Sequence, residues 1–184
     1  GEWKNNKYEG KGTFIDLDGN KYTGSWLQGM KHGQGIFINY NTDKYVGNWL
    51  NDLRNGNGVQ TYENGDRYEG DWKDDRKDGI GLMVYASGVT YEGEWKDDNR
   101  NGIGTQDDMR CNVFYGNWVD DKKDGKGKVT YSNGDIYDGD WSKNNIQGTG
   151  MFIYANGDKY DGEWINSQRN GKGTFTSNAG EKYI

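Results

Sequence analysis

Aromatic and polar residues alternate along this chain in a motif that keeps returning. In Tyr22-Thr23-Gly24-Ser25-Trp26 the two rings and the glycine take every second position, with polar residues between them. Tyr45-Val46-Gly47-Asn48-Trp49, Tyr68-Glu69-Gly70-Asp71-Trp72 and Tyr91-Glu92-Gly93-Glu94-Trp95 repeat the arrangement. Alternation with a period of two predicts a β-strand that gathers its rings on one face. The eight tryptophans, Trp3, Trp26, Trp49, Trp72, Trp95, Trp118, Trp141 and Trp164, stand 23 residues apart. Self-similarity at such a period identifies a tandem array in which each unit is one supersecondary element.

A second strand follows each tryptophan. Gly-x-Gly pairs such as Gly33/Gly35, Gly81, Gly127 and Gly150 with their partners head stretches in which Phe37, Met83, Val129 and Phe152 continue the glycine face. The joining segments carry residues that tolerate positive φ: Asn64-Gly65-Asp66, Asn133-Gly134-Asp135 and Asn156-Gly157-Asp158 on one side, and Asp52, Asp75, Asp98 and Asp121 on the other. Two turns per period make one hairpin per period. The expected fold is all-β, an elongated antiparallel meander of eight 23-residue hairpins over residues 1–184, each unit contacting mainly its neighbours. Its aromatic floor is Tyr22, Trp26, Tyr45, Trp49, Tyr68, Trp72, Tyr91, Trp95, Phe114, Trp118, Tyr137, Trp141, Tyr160 and Trp164, with the paired glycines lying under these rings. The segment starts and stops in one phase of the repeat, which predicts a natural chain that continues on one or both sides.

The combination of Y-x-G-x-W, G-x-G and an N-G-D turn, best seen at Tyr68 to Trp72 and Tyr91 to Trp95, resembles the MORN repeat (membrane occupation and recognition nexus) along the whole chain. The resemblance implies a twisted single-layer sheet. It also implies protein-protein contacts in cytoskeletal, ciliary or radial-spoke assemblies, at membrane junctions, or beside lipid kinases and methyltransferases. Two places depart from the pattern. The fifth hairpin, Gln106 to Phe114, loses the usual aromatic, the turn glycine and the tyrosine, and Asn41-Thr42-Asp43 lacks its turn glycine.

Composition narrows the function. The chain has 31% hydrophobic residues, 31 glycines and no proline, so its 15% aromatic content, held in register, must supply the core. One cysteine, Cys111, rules out a disulfide framework and fits a reducing, intracellular compartment. His32 and Cys111 are 79 residues apart, so a nucleophile-base pair is excluded by reach, and no enzyme activity is expected. Asp74-Asp75-Arg76-Lys77-Asp78-Gly79 has the outline of a calcium loop, but a cation stands third and Tyr85 replaces the terminal glutamate. The G-x-G pairs lack the third glycine and helix of a phosphate cradle, so no cofactor or metal is expected. A net charge of −6 argues against nucleic acid and disfavours anionic membrane lipid, although Lys122, Lys123, Lys126 and Lys128 form one basic patch.

What remains is a non-enzymatic scaffold. The aromatic face offers a groove whose expected contact residues are Phe37, Tyr62, Met83, Tyr85, Tyr131, Phe152 and Tyr154. Its partners are expected to be other proteins presenting elongated or helical segments, further repeats, or a second copy of the chain. On the opposite face Ile36, Ile38, Leu82, Val84, Met151 and Ile153 interrupt the polar surface. The competing readings are a lipid-surface adaptor, the regulatory arm of an enzyme whose catalytic domain lies elsewhere, and an extracellular sugar- or choline-binding module, the last opposed by the absence of N-x-S/T acceptors.

Overall fold

A computed structural model describes residues 1–184 and contains seventeen β-strands and no helix. Two compact units divide the chain: Gly1–Gly88 with Trp95–Asp98, and Val89–Glu94 with Asn99–Ile184. The first unit holds β1 (Glu2–Lys4), β2 (Lys7–Ile15), β3 (Lys21–Leu27), β4 (Met30–Ile38), β5 (Lys44–Leu50), β6 (Leu53–Thr61), β7 (Arg67–Lys73) and β8 (Arg76–Val84). Strand β9 (Thr90–Lys96) contributes to both. The second unit holds β10 (Asn99–Asp107), β11 (Val113–Val119), β12 (Lys122–Thr130), β13 (Ile136–Ser142), β14 (Asn145–Ile153), β15 (Lys159–Ile165), β16 (Gln168–Thr176) and β17 (Lys182–Tyr183). Within each unit the strands pair antiparallel in chain order, an open meander one layer thick.

The rings form most of the core of such a layer. All fourteen floor residues are buried, and Tyr68, Tyr91 and Tyr137 are fully excluded from solvent. Within each unit they lock edge to face. In the first unit Tyr22 meets Trp26 at 4.9 Å and Trp49 at 5.5 Å, Tyr45 meets Trp49 and Trp72, and Tyr68 meets Trp72 and Trp95. The second unit continues the scheme through Tyr91, Trp118, Phe114, Trp141, Tyr137, Trp164 and Tyr160. Edge-to-face contact sets the positive ring edge against a negative ring face and adds to the area each ring buries. The polar ends are satisfied as well. Each floor indole donates to the carbonyl of the second glycine of the preceding pair, as Trp72 does to Gly58 at 3.3 Å and Trp164 to Gly150 at 2.9 Å. Each floor tyrosine donates to the carbonyl just before its own tryptophan, as Tyr45 does to Asn48 at 3.0 Å.

The two glycines of a pair have different causes, which corrects the expectation that both lie under rings. A Cβ on Gly58 would sit 2.2 Å from the Tyr45 hydroxyl oxygen and 2.4 Å from the ring, so close approach demands glycine there. Gly56 instead has φ +81° and faces the Asn48 side chain. It belongs to a bulge, where the β5–β6 register slips between Gly47 and Trp49 and brings Trp49 opposite Arg54.

Candidate functional site

The tight turns after each tryptophan are built from pairs of residues with positive φ, among them Asn51/Asp52, Asp74/Asp75 and Asp120/Asp121. Two successive left-handed residues give the turn that matches strand twist. The strain is offset by a clasp between successive hairpins. Asp75 donates its backbone N–H to the Arg54 carbonyl at 3.1 Å, and its carboxylate accepts the Arg54 N–H at 2.8 Å and Nε at 3.0 Å. Asp52 clasps Lys31, Asp98 clasps Lys77, and Asp121 clasps Arg100 in the same way. Asn144 and Ser167 do this for Lys123 and Ile146. On the other rim Asp43, Asp66, Asn112, Asp135 and Asp158 each accept a backbone N–H from the next long turn. The repeated carboxylates therefore staple neighbouring units.

A row of cations, most of them on clasped residues, is the feature of the aromatic face that the motif reading missed. Lys31 lies 4.3 Å over Trp49, Arg54 4.0 Å over Trp72, and Lys77 4.4 Å over Trp95 in the first unit. In the second, Arg100 lies 4.4 Å over Trp118, Lys123 4.5 Å over Phe114, and Arg169 4.7 Å over Tyr160. These are cation-π distances. Burial against the rings holds the Lys31 and Lys123 ammonium groups below the usual lysine pKa, Asp52 and Asp75 opposing the shift at Lys31 and Arg100 adding to it at Lys123. Strand parity carried two residues back from each G-x-G pair points to every one of these cations.

The expected groove residues fall into three groups. Phe37 and Tyr62 line a hollow of about 300 Å³ with Lys31, Arg54, Gln60, Asp43, Asp52 and Asp75, above Tyr45 and Trp49. Tyr131, Phe152 and Tyr154 come together in the second unit. Tyr131 stacks on Phe152 at 6.1 Å, Phe152 meets Tyr154 at 4.6 Å, and Phe152 reaches Trp164 at 6.0 Å. Burial raises the Tyr62 and Tyr131 hydroxyl pKa values. Met83 is 6% exposed and packs into the floor, while Tyr85 is half-buried.

The lysine patch divides. Lys123 faces the rings, whereas Lys126 and Lys128 line a hollow on the opposite face, where Lys126 pairs with Asp140 at 2.5 Å. In the first unit the face away from the rings holds a hollow of about 770 Å³, walled by glycines, Thr13, Thr23, Gln34, Ile36 and Val46, whose Lys11 is held by Ser25. Ile36 and Met151 are 38% exposed. The irregular fifth turn keeps the regular geometry. Asp108 accepts the N–H groups of Arg110 and Asn112, the Asn112 amide lowers its pKa, and Cys111 takes the positive φ that glycine has elsewhere.

A single-layer sheet of ring-floored hairpins, clasped at both rims, defines a tandem-hairpin repeat protein. The MORN repeat profile matches residues 1–21, 22–44, 45–67, 68–90, 91–107, 114–136, 137–159 and 160–182, so the chain belongs to the MORN-repeat family. Among solved structures it is similar to the TCP domain of Drosophila melanogaster SAS-4 (dCPAP), determined in complex with a proline-rich motif of Ana2 (dSTIL). That match has 18% identity, covers 95% of this chain and 88% of the other, and gives a TM-score of 0.54. The TCP10 domain of Danio rerio CPAP follows at 11% identity, 95% and 87% coverage and a TM-score of 0.47, and its complex with a STIL peptide at 11%, 96% and 93%, and 0.43. The first of these likenesses describes fold alone. No curated protein matches the chain.

Proposed function

We propose that the chain is a non-enzymatic scaffold whose aromatic face binds segments of other proteins within a cytoskeletal or ciliary (axonemal) assembly inside the cell. The observation that carries this reading is the face itself. Rings packed for stability are topped by half-buried Phe37, Tyr62, Tyr131, Phe152 and Tyr154, and by cations held against aromatic surface. Aromatic anchors beside fixed charges are what recognition sites for protein segments use. A similar fold occurs in complex with a proline-rich motif in SAS-4, which supports a role in binding segments of other proteins.

Cross-linking mass spectrometry on the native protein in its own cell extract tests the proposal. Cross-links from Lys31, Lys77 and Lys123 to cytoskeletal proteins are expected. Links confined to membrane proteins would overturn it in favour of a lipid-surface adaptor, and links to a catalytic domain in favour of a regulatory arm.

A further inference from the structure

The row of cations is broken once. Along the second unit the residue two places before G-x-G is Arg100, Lys123, Ile146 and Arg169 in turn. The Arg100 guanidinium is committed to Asp121, with Nε 2.9 Å from Oδ1 and Nη2 2.9 Å from the carbonyl. Lys123 and Arg169 have no carboxylate within ion-pair reach; one ammonium rests on Phe114 and Trp141, and the other head group rests on Tyr160 and donates to the Tyr154 hydroxyl. Between them Ile146 is 5% exposed, and Tyr131, Phe152 and Tyr154 raise an apolar wall. The result is an aromatic strip with a cation that has no ion-pair partner at each end.

The spacing of that strip selects a backbone. Lys123, Ile146 and Arg169 lie on β12, β14 and β16, each two strands beyond the last, so the steps are about 9.6 Å at the usual interstrand distance. A polyproline II helix advances about 9.3 Å in one turn of three residues and returns to the same side. An extended strand three residues on points to the other side, and an α-helix needs six to seven residues per step and drifts around its axis.

From this we infer that the strip binds a polyproline II segment bearing two carboxylates six residues apart, with an apolar residue midway at the level of the buried Ile146. The outer carboxylates meet Lys123 and Arg169, and prolines or other apolar residues lie against Tyr131, Phe152 and Tyr154. This inference names the partner class for the face described under the proposed function and rests on that reading.

The test uses the full chain and a fluorescein-labelled nine-residue proline-rich peptide with glutamates at its second and eighth positions and leucine midway. Fluorescence anisotropy should show it binding about tenfold tighter than isomers with glutamates five or seven residues apart, as expected for charge-assisted contacts made together or not at all. Lys123→Gln and Arg169→Gln should each remove the spacing preference, and Arg54→Gln, in the first unit, should preserve it, with thermal melting confirming that each variant folds. Ile146→Lys should reverse the preference at the centre, favouring a peptide with glutamate in place of leucine. Equal affinity for all spacings, or a preference unaffected by Lys123→Gln and Arg169→Gln in folded protein, overturns the inference. If no peptide binds while native cross-links map to the aromatic face, the partner class is wrong and the binding face stands. If the cross-links avoid that face, the proposed function fails too.

Discussion

Two stretches of the aromatic face, Lys31 to Tyr62 and Lys123 to Arg169, share one floor and differ in what rests on it. In the first, each hairpin lays a cation on the rings and sets an aspartate behind it, Asp52 for Lys31 and Asp75 for Arg54. In the second, Asn144 and Ser167 take the aspartate's place and Ile146 takes the cation's. The clasp survives these changes, since Asp75, Asn144 and Ser167 accept the same backbone N–H at 2.8, 2.9 and 3.1 Å. Fold and surface are therefore separable: the ring series fixes the sheet, while the clasped position is free to carry a guanidinium, an ammonium or an alkyl group.

The sharpest way to break that separation is to remove a ring from each stretch. Trp72→Ala and Trp164→Ala should cost about 3–5 kcal/mol each in urea unfolding, because both are buried and each also leaves a glycine carbonyl without its donor. Unequal costs would show that the two floors differ. Alkali should act next most strongly. Burial pushes the Tyr22 and Tyr45 hydroxyls up from 10.0 to about 12 and raises Tyr68 as well. The folded state favours the neutral hydroxyl, so this stabilisation is complete below pH 10 and is lost as pH climbs toward 12, on the order of 2–3 kcal/mol per tyrosine. Lowered lysine pKa values give the opposite slope, so a fall in stability over that range, followed by denaturant unfolding, tests whether the tyrosines dominate.

Smaller changes sharpen the comparison. Gly58→Ala and Gly150→Ala place a methyl group against Tyr45 and Tyr137 and should each cost about 1–3 kcal/mol by thermal denaturation. Arg54→Met removes a partly exposed ion pair with Asp75 and should cost about 1 kcal/mol, whereas Lys123→Met, which removes a desolvated ammonium with no ion-pair partner, should be neutral or stabilising. Phe114→Tyr supplies the hydroxyl that other hairpins aim at the carbonyl before tryptophan, here that of Asn117, and should add about 0.5–1 kcal/mol.

Periodicity made the floor legible, because a ring is recognisable alone and its face follows from alternation. The cations escaped for want of one further step of the same parity: a lysine or arginine near a turn has the look of solvated charge, and Lys31 is seen on the rings only when the count from Gly33 runs backward. The distinction between Gly56 and Gly58 was not readable, since a bulge and a close approach both select glycine. The clasps were hidden more deeply. Asp75 reaches Arg54 across 21 residues, a contact that exists only once neighbouring hairpins pair, and nothing local to Asp74-Asp75 announces it.

The indole bonds join residues 14 apart, one set of rim bonds joins residues 20 apart and the other 21 apart. These ties depend on offset along the chain and not on position. Excising or duplicating any 23 residues inside a unit would return each broken tie to a chemically equivalent partner. The length of such a molecule is thus a quantity that can be edited in whole steps, so an ancestor could lengthen or shorten its binding face by unequal exchange of coding sequence without inventing a new contact.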